Sequence, residues 1–270
     1  MNFVEMKGGL GNQIFQYVFS KYLERKTGKC SVLHVEFFDY IKRVSGGTVR
    51  EFDIDKFNTN YVTVSGALEC NGAVDEEEFK ANGRMVKTGE YFYRGYWQDK
   101  VFLEAVQDSV MLDLTLKEDY ITEVMMRAIK EMNENESVSM HIRGTDYLQG
   151  ENRNIFSGLD AEYYKKAVYC IREKCPRPLK IYVFTDDPAY AGSILAGMGE
   201  DAYDIMPVAK PYQDLWLMAQ TKHHIIANSS YSYWGAAIGA NRRSGITVAP
   251  DNWFVRMQRP DIYFDDWIVL

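Results

Sequence analysis

The apolar run Val138 to Ile142 ends in His141-Ile142-Arg143-Gly144-Thr145-Asp146. An arginine at a strand end is a rigid, permanently charged fork that matches a phosphate with two hydrogen bonds, which suits a pyrophosphate leaving group. Side chains alternate along a strand, so His141 and Arg143 share one side and Ile142 takes the other. Asp146 is a carboxylate close to Arg143, open to two readings: a general base, or the partner of a structural ion pair.

Three other stretches place ligand-competent residues after apolar runs. Gly8-Gly9-Leu10-Gly11-Asn12-Gln13 follows the first run. It lacks the third glycine of a dinucleotide loop, because Ile14 stands there, yet Gly9 and Gly11 let backbone amides approach a ligand and Asn12 can donate and accept. Asp186 and Asp187 precede Pro188, a pattern that serves equally as a helix start or as a carboxylate facing the paired donors of guanine. Asn228, Ser229 and Ser230 open a helix, where hydroxyls and free amides either cap it or hold an anion.

Other features carry less chemistry. Asp53-Ile54-Asp55 has a D-x-D form that could hold a divalent cation, but Phe52, Ile54 and Phe57 make it an anchored loop, so no metal site is expected there. No histidine or cysteine cluster is visible in the sequence, and adjacent His223 and His224 face opposite ways in a strand. Tyr231, Tyr233 and Trp234 recur at helical spacing beside Ala236 and Ile238, which predicts core. Arg172, Lys174, Arg177 and Lys180 suit either a solvated helix end or a membrane surface.

The elements that must position these groups alternate. A strand from Asn2 to Lys7 leads through the glycines into a helix carrying Ile14, Phe15, Tyr17, Val18, Tyr22 and Leu23; a strand is expected from Val32 to Phe38 and a helix from Thr122 to Met132. Then come strand Val138 to Ile142, helix Ala161 to Lys174, strand Ile181 to Thr185, helix Tyr190 to Met198, helix Asp214 to Thr221, strand His224 to Ala227, helix Tyr231 to Ala240 and strand Ile246 to Ala249. Strands separated by helices form right-handed crossovers and a parallel sheet, whose ligands lie beyond the carboxyl ends of the strands. The polar stretch Asn133 to Glu136 is the expected boundary, giving halves 1–134 and 135–270.

With 38 acidic and 31 basic side chains the net charge is −7, which argues against a general affinity for nucleic acid. The four cysteines, Cys30, Cys70, Cys170 and Cys175, include no C-x-x-C pair and read as reduced thiols. The opening MNFVEMKGGLGNQ lacks a basic leader and a long apolar run, so a cytoplasmic location is expected.

Six ordered blocks, GGLGNQIFQYVFSKYLE, GYWQDKVF, MHIRGTDYL, VFTDDPAYA, LMAQTKHHIIANSSYSYWGAAIG and APDNWF, resemble the bacterial α-1,2-fucosyltransferases of glycosyltransferase family 11. The resemblance implies an α/β fold of GT-B type, two Rossmann-like halves facing a cleft, with an acceptor-side N-terminal half and a GDP-fucose-binding C-terminal half. It implies inverting transfer to a galactose-ended glycan and no required metal; peripheral contact with the inner face of the cell membrane would rest on the basic residues Arg172, Lys174, Arg177 and Lys180 instead. By position it places His141 and one of Asp186 or Asp187 near guanine, Arg143 and Ser229 or Ser230 near the β-phosphate, and Asn12 near fucose. Gly144 departs from the family's H-x-R-R-x-D block, in which His141, Arg143 and Asp146 match. Transfer to a protein or chitooligosaccharide, or a non-catalytic nucleotide-sugar binder, are the alternatives.

Overall fold

The computed structural model describes residues 1–44, 50–144, 154–199 and 203–270, which form two compact units, Met1–Lys117 and Glu118–Leu270. In the first unit the elements are β1 (Asn2–Glu5), α1 (Leu10–Thr27), β2 (Ser31–His34), α2 (Glu36–Arg43), β3 (Val62–Val64), β4 (Ala73–Asp75), α3 (Glu76–Ala81), β5 (Phe92–Arg94) and α4 (Lys100–Asp113). Its strands pair in the order β3-β2-β1-β5-β4, parallel throughout. Phe19 of α1 is the hub of the aromatic core: its ring stacks on Trp97 at 3.7 Å and meets Phe79, Tyr93 and Phe102 edge-on.

The second unit contains α5 (Glu123–Glu134), β6 (Glu136–Ile142), α6 (Ala161–Arg172), β7 (Leu179–Thr185), α7 (Pro188–Met198), β8 (Tyr203–Ile205), α8 (Pro211–Met218), β9 (His223–Ile225), α9 (Ser230–Arg242), β10 (Thr247–Ala249) and β11 (Ile268–Val269). These strands are also all parallel, in the order β11-β10-β9-β6-β7-β8. β6 is buried at every position, as a central parallel strand covered on both faces must be. It pairs with β7 from Glu136↔Leu179 to Ile142↔Thr185, which brings Arg143 and Asp186 out side by side. Val138, Met140 and Ile142 pack with Tyr164, Val168 and Ile171 of α6 in the core.

Two expectations shift, and a third, the anchored loop around Ile54 and Phe57, stands. The strand expected at Val32 to Phe38 stops at His34, because Glu36 and Asp39 in the first turn and Lys42 and Arg43 in the last turn of α2 complement a helix dipole. The polar stretch at Asn133 is a turn inside the second unit, where Asn135 Nδ2 donates to the Glu131 carbonyl at 2.8 Å, and the units divide before Glu118 instead. Segment 52–57 is a packed loop with Ile54 and Phe57 fully buried, and Asp55 is paired with Lys56 at 2.7 Å. No helix among the described residues is long and apolar enough to cross a membrane.

Candidate functional site

The exits of β6 and β7 share one electrostatic knot. Arg143 Nη1 lies 2.9 Å from Asp186 Oδ2, and the Gly144 backbone N–H donates to Asp186 Oδ1 at 2.9 Å. One carboxylate therefore fixes both the guanidinium and the peptide that follows it. Asp187 serves differently, as the N-cap of α7, its Oδ1 accepting from Tyr190 N at 3.0 Å while its own N–H donates to Thr185 Oγ1 at 3.0 Å. A β-carbon on Gly144 would stand 2.7 Å from Asp187 Cβ and 3.2 Å from Tyr190 Cδ1. The close approach of two strand exits demands glycine here, which explains why no second arginine follows Arg143.

His141 is 3% exposed, and Nδ1 has no hydrogen-bond partner among the described residues. Burial, reinforced by the charge of Arg143 and opposed by Asp186, keeps the imidazole neutral far below its usual range. Its ring centroid lies 5.6 Å from that of Tyr231, whose hydroxyl donates to the Pro211 carbonyl at 2.6 Å and so ties the start of α9 to the start of α8. Tyr233 and Trp234, further along α9, are fully buried core, as their spacing predicts.

Three residues beyond Pro211, Asp214 is a feature that sequence reasoning missed. Its Oδ2 accepts from Ala209 N at 3.3 Å, but the buried Oδ1 has no partner among the described residues, and burial raises the carboxyl from its ordinary 3.8 to about 6. The missed signal was Pro211: it starts the helix a turn earlier than expected and moves Asp214 from the helix entrance into its first turn. The raised value means that the folded protein holds a proton the unfolded chain has released between about pH 4 and 6, so the contribution of Asp214 to stability is greatest below that window and falls as pH rises through it. Asp214→Asn is expected to flatten that fall, as read by urea midpoints at pH 4.5 and 7.

At the β9 exit, Ser229 caps α9, its Oγ accepting from Tyr231 N at 3.3 Å, and Ser230 is the first helical residue. The Asn228 side chain is occupied in holding two loops, donating from Nδ2 to the Ser157 and Trp253 carbonyls at 2.9 Å each. The structure thus gathers His141, Arg143, Asp186 and the start of α9 at the exits of the central strands, with the start of α8 joined to them through Tyr231. Asp146 lies outside the described residues.

In the first unit, Gly8 has φ 79°, and the Gly9 carbonyl accepts from Asn12 N at 3.0 Å and Gln13 N at 3.1 Å as α1 begins; Gly11 is buried in the first turn. Gln13 braces this loop. Its Nε2 donates to the Gly8 carbonyl at 3.1 Å and the Glu51 carbonyl at 2.8 Å, and its Oε1 accepts from Asp53 N at 2.9 Å and Ile54 N at 3.2 Å. Asn12 Oδ1 accepts from Gln98 Nε2 at 2.9 Å, and Arg50 Nη1 lies 3.8 Å from where a side chain on Gly9 would begin.

One group with metal-ligand chemistry does come together. Glu136, Cys175 and His223 place donor atoms within 4.8 Å of one another at the amino-terminal edge of the second sheet, beside a cavity of about 460 Å³ also lined by Lys174, Arg177 and Lys222. Their wide separation in the chain hid the group from the sequence. The Ile246 N–H donates to His223 Nδ1 at 3.0 Å, so the ring proton sits on Nε2, which donates to Glu136 Oε1 at 2.9 Å; Lys222 pairs with the same carboxylate. A metal on Nε2 would force a proton onto Nδ1 against that amide, so the trio is satisfied by a proton.

Residues 1–270 match the family model described as Glycosyl transferase family 11. Among curated relatives, the O-antigen biosynthesis glycosyltransferase WbnK of Escherichia coli is 28% identical over 304 residues, covering 98% of this chain and 99% of that protein. An alpha-1,2-colitosyltransferase of Escherichia coli is 30% identical over 279 residues, covering 93% and 91%. Among solved structures, the fucosyltransferase NodZ from Bradyrhizobium superposes with a TM-score of 0.55 at 10% identity, covering 87% of this chain and 91% of that one. A glycosyl transferase family 9 protein from Veillonella parvula gives 0.50 at 13% identity, covering 100% and 86%. These likenesses show the fold: α/β, of GT-B type, with two Rossmann-like units.

Proposed function

Because the chain belongs to glycosyl transferase family 11, we propose that it transfers fucose from GDP-fucose, with inversion, to a galactose hydroxyl of a glycan, forming an α-1,2 linkage. The observation that carries the reading is the Arg143–Asp186 pair at the β6 exit, a fixed guanidinium beside a buried neutral imidazole. NodZ has been crystallised with GDP and soaked with GDP-fucose, which supports the choice of donor.

In this mechanism the bond between fucose C1 and the β-phosphate oxygen breaks as the galactose hydroxyl attacks the opposite face of C1. Charge grows on the departing diphosphate, and Arg143, aimed by Asp186, stabilises it together with the hydroxyls and helix dipole at the start of α9, where Ser229 and Ser230 stand. In the same reading His141 and one of Asp186 or Asp187 lie toward guanine, because a carboxylate has about four lone-pair sites and can accept the N1–H and amino donors while it orients Arg143 or caps α7. Asn12 lies toward fucose in the same reading, with the Gly9 and Gly11 backbone beside it. The reading requires no metal, as the family resemblance implies.

Asp146 is the proposed base that takes the hydroxyl proton. Asp146→Asn is then expected to lose the acidic limb of the pH–rate profile; a retained limb removes Asp146 from the mechanism. The donor is tested by titrating the protein with GDP-fucose, GDP-mannose and UDP-galactose, and preference for either of the latter two overturns it. The linkage is tested by NMR of the product.

The colitosyltransferase relative favours a second donor, GDP-colitose. Colitose is fucose without its 3-hydroxyl. A site built to hydrogen-bond that hydroxyl discriminates by orders of magnitude, so competing the two donors in one reaction separates the readings. A peripheral contact between the basic end of α6 and an anionic membrane belongs to the same proposal, with flotation on phosphatidylglycerol vesicles as its check.

A further inference from the structure

The β5 exit of the first unit holds a distortion that the donor chemistry leaves unused. Trp97 has φ 59°, an outlier for a bulky side chain. Strain of this kind persists where its surroundings over-determine it, and it clusters at ligand sites. Here Glu76 Oε2 accepts from both Tyr96 N at 2.8 Å and Trp97 N at 2.9 Å, and Lys80 pairs with Glu76 Oε1 at 2.7 Å. The Trp97 indole is fully buried against Phe19, and Asp99 caps α4 by accepting from Val101 N at 3.1 Å.

The result is a controlled outward turn. Between fully buried Tyr93 and Trp97, Tyr96 is 44% exposed, with Lys7 Nζ 5.3 Å from its ring centroid. Lys7 is itself paired with Glu5 at 2.6 Å, so its charge is neutralised locally. Gln98 follows and donates to Asn12 at 2.9 Å, joining the β5 exit to the glycine loop after the neighbouring strand β1.

We infer that Tyr96 is the platform on which a hexose ring of the glycan acceptor stacks, and that Gln98 is a positioning residue that offers its own carboxamide to that sugar's rim while it fixes Asn12. A pyranose has an apolar C–H face and a rim of hydroxyls. An exposed aromatic with a polar tip matches the face, and carboxamides, which donate and accept side by side, match the rim. The locally cancelled charge suits a neutral sugar rather than a diphosphate. The inference rests on glycosyl transfer and deepens it by assigning an acceptor subsite.

The test compares Tyr96→Ala and Tyr96→Trp with wild type in acceptor KM for lactose and N-acetyllactosamine, in direct NMR titration of both sugars, and in GDP affinity. Tyr96→Ala is expected to weaken acceptor binding about ten-fold, the loss of one stacked ring, with GDP affinity unchanged, and Tyr96→Trp to recover it. Gln98→Glu, which keeps the length but cannot donate to Asn12, is expected to raise acceptor KM without moving the melting temperature. Wild-type acceptor binding in Tyr96→Ala, or a loss matched by equally weakened GDP binding, overturns the assignment. A wild type that ignores GDP counts against the donor reading alone, because the direct sugar titration still decides this one.

Discussion

Replacing Arg143 by alanine is expected to lower the turnover rate by about 10² to 10³, the usual effect of deleting one group aimed at transition-state charge. The guanidinium meets a charge that is small in the bound donor and large as the glycosidic bond breaks, so kcat falls further than GDP affinity. Arg143→Lys is expected to fall between, since it retains charge but loses the fork that Asp186 orients at 2.9 Å. Stability should change little, by about 1 kcal/mol or less, because both members of the pair keep contact with solvent. Wild-type turnover in Arg143→Ala, with an unaltered circular dichroism spectrum, would remove Arg143 from the mechanism.

Gly144→Ala is expected to reduce both stability and transfer, even though alanine is only one carbon larger. The added carbon would meet Asp187 Cβ at 2.7 Å, and neither atom is the movable end of a flexible side chain. Relief requires the two strand exits to part, which strains the Gly144 N–H bond to Asp186 and the α7 cap together. Overpacking of this kind costs about 1–3 kcal/mol. Gly144→Arg, which restores the family's second arginine, should be worse. Adding Asp187→Gly to Gly144→Ala removes the opposing carbon and should return part of the lost urea midpoint and rate; a double variant no better than the single one would place the cause elsewhere.

Much of this site is legible in the amino-acid sequence. The exits at His141, Asp186 and Ser229 follow strands apolar enough to be recognised, and β6 is buried at all positions, so its run stands out. What escapes detection has specific causes. β3, β4 and β5 are three residues long, and two of the three β8 residues are exposed, so none offers a period to count. Asp186 and Asp187 are indistinguishable by type; only the register of β6 on β7 decides that the first meets Arg143 and the second caps α7. Asp214 hides behind a helix start misplaced by one turn. The expected boundary near 134 rests on polarity, and a helix-to-strand turn is as polar as a linker.

The Gln13 carboxamide has two protons and two lone pairs, and all four are engaged, by Gly8, Glu51, Asp53 and Ile54. The glycine loop is thus already rigid before any ligand arrives, and the entropy of ordering it is met during folding rather than on each catalytic cycle. It also means that the loop and segment 51–54 form one transplantable module: a graft of either without the other into a related scaffold would carry over the glycines but not their shape.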